Sequence, residues 1–184
     1  MSLPTQMIRL EPLTMSHLDG VMTWINDPAV TFYFAKMGEV ITREAEARYL
    51  RHLIDSSQDR IYSIFAGSDY VGQIGVSKIY GPAGNGRVGL MLRREAWGRG
   101  IAKNAAALLF EKAFGPEMGL HKLWLILRKD NMKGRHLWES LGFQLEGRLR
   151  QEYWVQDKYH DMLRFGLLSS DSPVWQKYLP RTTT

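Results

Sequence analysis

The chain has 184 residues, 45% of them hydrophobic, which is enough for one well-buried domain and short for two. It contains no cysteine, which excludes disulfide scaffolds, thiolate zinc sites, iron–sulfur clusters and cysteine nucleophiles. A net charge of +5, with both signs mixed among 23% charged residues, describes an ordinary surface and by itself selects no partner.

The opening Met1-Ser2-Leu3-Pro4 lacks a basic start followed by an apolar run, so no secretory signal is expected. Ile8 to Leu13 alternate as a half-buried strand does. Leu18, Val21, Met22 and Ile25 then fall at helical spacing behind Thr14 or Ser16, and Asn26-Asp27-Pro28 should stop that helix. An aromatic and Met-rich segment from Phe32 and Tyr33 to Met37 leads to a second helix. Thr42 should cap it, with Glu44 and Glu46 in its first turn and Tyr49, Leu50, Leu53 and Ile54 on one face.

Residues 60–66, 70–80 and 87–92 alternate as strands between turn signals and predict an antiparallel meander. The turn Trp97-Gly98-Arg99-Gly100 opens a helix to about Phe114, whose apolar run Ala105 to Phe110 is far below the roughly 20 residues that span a bilayer. No membrane partner is expected, and a cytoplasmic location is. His121 to Arg128 forms a strand buried on both faces in its middle, which suits a central or parallel position. Asn131 can cap a short helix that Gly142 ends, and two strands near 143–149 and 159–168 close the domain. No repeat or linker divides the chain, so residues 1–168 are expected to form one mixed α/β (α+β) domain, with 169–184 as a peripheral tail.

A strand, a glycine turn and a helix N-terminus together make a recurring anion site, because free amides and the helix dipole converge there. Gly98 and Gly100 allow close backbone approach, while Arg93, Arg94, Arg99 and Lys103 crowd the same turn and point to a phosphate-bearing ligand. The spacing fits neither a Rossmann fingerprint nor a Walker loop. Leu90-Met91-Leu92 followed by Glu95 to Ala102 resembles the acetyl-CoA motif of the GNAT superfamily of N-acetyltransferases, with Trp97, Gly100 and Ala102 in its Q/R and small-residue places. Asn131 to Phe143, Glu146-Gly147-Arg148 and Asp161 are similar to that family's later motifs, and Trp24 to Val30 resembles its W-x-N-D-P-x-V segment.

The resemblance implies a single GNAT-like domain, a mixed and mostly antiparallel sheet of about seven strands with about four helices. It also implies acetyl-CoA as co-substrate and direct attack by a neutral primary amine. The strand Leu90, Met91, Leu92 would then polarise the thioester through a backbone N–H. Trp97, Gly98, Arg99, Gly100, Ile101, Ala102 and Lys103 would hold the diphosphate, with Arg93 and Arg94 as further phosphate candidates. Asn131 would hold the pantetheine arm or only cap its helix, and Trp138 would line the cofactor.

Two departures follow. Arg87 stands where many relatives place a carboxylate base, and Trp138 stands where many place a tyrosine acid. Tyr153 or Tyr33 could substitute as acid, and Glu152, Asp161 or His160 as base, or approximation of the substrates could suffice. Phe32, Tyr33, Arg87 and Trp154 are the expected acceptor contacts, on the aromatic segment and a loop from Arg150 to Lys158. The acceptor would be an amino-sugar nucleotide, a protein N-terminus or a polyamine. Sparse carboxylates and the nearby basic residues incline the reading to an anionic acceptor.

No histidine pair has metal-ligand spacing and no metal is expected. The alternative is a CoA-binding or nucleic-acid-binding module that has lost its chemistry. Because the basic residues cluster at the glycine turn, nucleic acid is not the expected partner. A homodimer is compatible with the sequence.

Overall fold

A seven-stranded sheet organises the chain in the computed structural model, which describes residues 7–33 and 39–180. The opening residues 1–6, the centre of the aromatic segment at 34–38 and the last four residues lie outside the description. Strands β1 (Ile8–Pro12), β2 (Arg60–Ala66), β3 (Asp69–Tyr80) and β4 (Asn85–Leu92) pair antiparallel in that order. β5 (Lys122–Arg128) then joins β4 in parallel, and β6 (Gln144–Val155) and β7 (Lys158–Leu168) close the far side as β5-β7-β6. The one parallel pair needs a long crossover, which is α4 (Ile101–Phe114).

Five α-helices are present among the described residues, where about four were expected: α1 (Leu18–Met22), α2 (Pro28–Thr31), α3 (Arg43–Asp55), α4 and α5 (Met132–Ser140). The unexpected one is α2. α1 stops at Met22, short of the expected stop, and Asn26-Asp27-Pro28 instead starts a new helix, because Asp27 Oδ1 accepts from the Ala29 amide at 2.9 Å and Pro28 is at home in a first helical turn. Thr42 caps α3 through a 3.2 Å bond from the Ala45 amide. The buried stripe of α3 is narrower than predicted, with Glu46 and Leu50 buried while Tyr49 and Ile54 are exposed.

Each face of the sheet has its own core. Ala105, Ala106, Leu109 and Phe110 of α4 and Trp138 of α5 pack on Ile74, Val88, Leu123 and Phe165. On the other face Leu18, Val21 and Trp24 meet Val30 and Leu50. No helix of the described residues is long and apolar enough to cross a membrane.

Two expectations give way here. Residues 150–158 are not a loop: β6 and β7 continue to a two-residue turn, Gln156-Asp157, both at φ 53°, as a primed hairpin turn requires. Nor is the described part of the tail peripheral. Trp175 is buried and meets Phe110 edge-on at 5.8 Å, and Asn104 of α4 donates to the Tyr178 carbonyl at 2.6 Å. The exposed side of α4 is too apolar at Phe110 to be left bare.

Candidate active site

The site begins where two strands part. β4 and β5 pair only from Asn85 to Arg87 against Lys122 to Trp124, and beyond that the register between them ends. The Arg93 amide donates to the Val71 carbonyl at 2.9 Å, and antiparallel pairs alternate between bonded and non-bonded. Met91 and Gly89 therefore face β3, while the peptide groups of Leu90 and Leu92 face the gap. Of the stretch Leu90, Met91, Leu92, only the two leucines have an N–H placed to polarise something inserted between the strands. The Leu92 carbonyl is already taken by the Trp97 indole N–H at 2.9 Å. This bond ties the turn to the strand end and gives Trp97 a structural task.

The turn at the mouth of the gap has the geometry of an anion cradle. Gly98 and Gly100 have φ of 72° and 76°, and no atom lies within 4 Å of where a Cβ would stand on Gly98. Among the described residues the amides of Gly98, Gly100, Ile101 and Ala102 have no hydrogen-bond partner, and all lie at the N-terminus of α4.

The cations of the turn divide into two groups. Arg99 stands exposed beside the glycines, and Lys103, one turn into α4, lies 4.9 Å from the Tyr178 ring. Arg93 and Arg94, also expected at the phosphates, instead reach Asp69 at 3.8 Å and Asp27 at 3.2 Å, so they brace the turn against β3 and α2. Lys133 of α5, to which the sequence assigned no role, brings its ammonium to 5.8 Å from the Trp97 ring.

On α5, Asn131 Oδ1 accepts from the Gly134 amide at 2.9 Å, so its carbonyl caps the helix. Trp138 is 5% exposed and lies edge-on to Phe143 at 5.3 Å, as part of the core.

The far side of the gap is lined by side chains. Trp124, Ile126 and Arg128 of β5 alternate with the core residues Leu123 and Leu125, so they face α1–α3. Arg128, which the sequence reading passed over, is 4% exposed. It holds Asp130 through Nε at 3.0 Å, donates to the Phe32 carbonyl at 3.2 Å, and lies about equally near the Phe32 and Tyr33 rings at 5.3 and 5.1 Å. Those rings stack edge-to-face at 4.9 Å. The Arg128 hydrogen bonds hold Asp130 below the usual carboxylate range.

Arg87 lies at the base of the gap with its guanidinium 6.0 Å from the Trp124 ring. Burial and the nearby carboxylates Glu46 and Asp59 raise the Tyr49 phenol, an effect the Arg87 charge opposes.

The candidate acids and bases do not form one group. His160 and Tyr153 are cross-strand partners, and the Lys129 amide bonds the Asp161 carbonyl at 3.0 Å, which sets His160 beside Asp130 on the Arg128 face. His160 Nε2 is buried with no hydrogen-bond partner among the described residues. Asp161 and Tyr159 alternate with His160 and point to the opposite face, as does Trp154 next to Tyr153, while Glu152 is exposed within the bulge that interrupts the register. Trp154 stacks on Tyr159 at 4.6 Å. Asp161 accepts from the Gln151 amide at 2.9 Å and from Arg148, fixing the bulge where Gln151 takes φ 52°. Those bonds, the backbone one foremost, hold Asp161 below the usual range, which makes it a poor proton acceptor. Asp161 and Trp154 thus lie on the face away from Tyr153. Among the described residues no three His, Asp or Glu side chains gather as metal ligands would.

The sequence profile of the acetyltransferase (GNAT) domain matches residues 8–144. Spermidine N(1)-acetyltransferase of Escherichia coli (strain K12) is 27% identical over 157 residues, 85% of this chain and 83% of that protein. The same enzyme from Vibrio cholerae is 27% identical over 139 residues, 76% of each chain. The crystal structure of spermidine N-acetyltransferase from Vibrio cholerae in complex with CoA and spermine superposes with a TM-score of 0.81 at 21% identity, covering 89% of this chain and 96% of that one.

Proposed function

The chain belongs to the GNAT acetyltransferase family, and from that premise we propose that it moves the acetyl group of acetyl-CoA to a small-molecule primary amine, which attacks from the α1–α3 side of the gap. The observation that carries this reading is the coincidence of the parted β4/β5 edge with the open amides of the glycine turn. Bound acetyl-CoA supplies the activated acyl group.

The amides of Gly98, Gly100, Ile101 and Ala102, with Arg99, Lys103 and Lys133 near them, bind the diphosphate. The N–H of Leu90 or Leu92 donates to the thioester oxygen, where negative charge develops. Asn131 and Trp138 border the arm of the bound substrate, and Trp97 keeps the turn against the strand end. Phe32 and Tyr33, held by Arg128, and Arg87 contact the acceptor. We assign the proton of the attacking amine to His160 and the proton returned to the departing thiolate to Tyr153, its cross-strand partner on the acceptor face. The relatives' names add spermidine to the acceptors worth trying.

Thermal unfolding with and without acetyl-CoA tests the first half. At 100 times its dissociation constant the ligand adds about 2.7 kcal/mol, which for a chain of this size raises Tm by roughly 5–10 °C. Thiol release with a panel of amines tests the second. No shift at saturating acetyl-CoA refutes the reading, and a shift with no turnover on any amine class leaves a CoA-binding module.

A further inference from the structure

Resting on that acetyltransferase reading, we propose that the acceptor amine also carries an anionic group, a phosphate or a carboxylate, and that Arg87 binds it together with Arg164 around the Trp124 indole. Arg87 is the last β4 residue paired with β5, so its side chain stands at the foot of the gap on the acceptor side. It is half-buried, yet it forms no ion pair and donates no side-chain hydrogen bond among the described residues. Other arginines here are matched: Arg94 with Asp27, Arg128 with Asp130 and Arg148 with Asp161. A guanidinium kept partly out of water with its five donors unspent is matched to a bidentate anion.

The neighbourhood has the same bias. Arg164 of β7 lies 4.2 Å from the Trp124 ring, and its one carboxylate partner among the described residues, Glu146 at 3.6 Å, is shared with Lys122. Trp124 and Gly166 are register partners, and the Glu146 carboxylate lies directly over Gly166, which keeps it beside the indole. Around this aromatic floor stand three cations, Arg87, Arg164 and Lys122, and among the described residues Glu146 is the carboxylate in ion-pair contact with them, while Glu46 and Asp59 lie on the Tyr49 side of Arg87.

The second ammonium of a polyamine would meet like charge beside the indole, since Asp130 is already bound by Arg128 and Glu146 by two partners, and the remaining nearby carboxylates, Glu46 and Asp59, lie toward Tyr49. Gly89, the next β4 residue on this face, is exposed and leaves the space above the foot of the gap clear. An anion on Arg87 would thus leave the amine of the same molecule free to reach the Leu90 level.

The test compares matched acceptors with acetyl-CoA saturating. Glucosamine 6-phosphate is set against glucosamine, an amino acid against its amide, and spermidine serves as the polycation. The expected result is a kcat/KM at least tenfold higher for one anionic member than for its neutral partner, and the pair that shows it tells phosphate from carboxylate. In Arg87→Gln that ratio falls toward one, mainly through KM, and Arg87→Lys restores part of it. Calorimetric titration of the preferred anionic amine with CoA present, so that the glycine turn is filled, shows binding that Arg87→Gln weakens by the same factor. Equal rates within both pairs, spermidine as the best acceptor, or an unchanged ratio in Arg87→Gln overturns the inference while leaving the acetyltransferase reading intact. Absence of the acetyl-CoA thermal shift overturns both.

Discussion

The two sides of the β4/β5 gap are built from different parts of the polypeptide. On the α4 side the chain offers backbone: amides at Gly98, Gly100, Ile101 and Ala102, held by positive φ values and a helix start. On the α1–α3 side it offers side chains from five separated segments, at Phe32–Tyr33, Arg87, Trp124–Arg128, Tyr153 and His160–Arg164. A backbone cradle needs a short run of glycine and a helix, whatever its other side chains are. A side-chain pocket depends on where distant strands fall in register. The first should tolerate changes of its side chains and fail when its backbone is altered, and the second should do the reverse.

The largest expected effect breaks the backbone side. In Gly100→Val a β-branched residue must hold φ near 76°, at about 1–2 kcal/mol in folding stability, and its side chain occupies the space before the open amides. Losing such preorganised donors costs on the order of 100-fold in kcat/KM, and the acetyl-CoA thermal shift should disappear with it. A Gly100→Val protein that folds and still shows the full shift would move the cofactor away from this turn.

A smaller effect separates the two sides. Arg128→Gln leaves the Phe32 carbonyl and Asp130 without their buried donor, at about 2 kcal/mol in stability given that Asp130 is half-exposed. The glycine turn is untouched, so the thermal shift with acetyl-CoA should keep its size while the acceptor KM rises severalfold. A fall in the shift equal to the loss of activity would show that the two sides are not independent.

This division also explains what could be read from the sequence. Thr42, Asn131, Gly98 and Gly100 are local signals, each fixing its own turn or cap within three residues, and the structure has each in such a place. The mixed sheet with its single crossover followed from periodicity and connection length. What failed was non-local. Arg93 and Arg94 crowd the glycine turn and so suggest a phosphate role, while the carboxylates they reach, Asp69 and Asp27, come from distant parts of the chain that no local pattern reveals. Arg128 ends its strand as expected, but nothing local in the sequence shows that Phe32 and Tyr33 fold onto it. Asp161 and His160 are equal candidates for the base in the sequence, and strand alternation tells their faces apart only once the β6/β7 register and the bulge at Gln151 are known.

The smallest predicted effect tests that last separation. Asp161 is depressed in the folded state by the Gln151 amide first and Arg148 after it, so its contribution to stability is present above its ordinary value of 3.8 and is lost as pH falls through the lower folded value. Asp161→Asn should therefore lower the urea midpoint slightly at neutral pH, and the gap from the parent protein should close as pH falls from 3.8 through the lower folded value. Its kcat should keep the parent's pH profile, because the carboxylate lies on the face away from His160 and Tyr153. A group that accepted the amine proton would instead remove the acidic limb of that profile when changed to asparagine, at any effect on stability. Loss of that limb in Asp161→Asn, with the limb kept in His160→Gln, would put the base on the α5 face and reverse the assignment of the two sides.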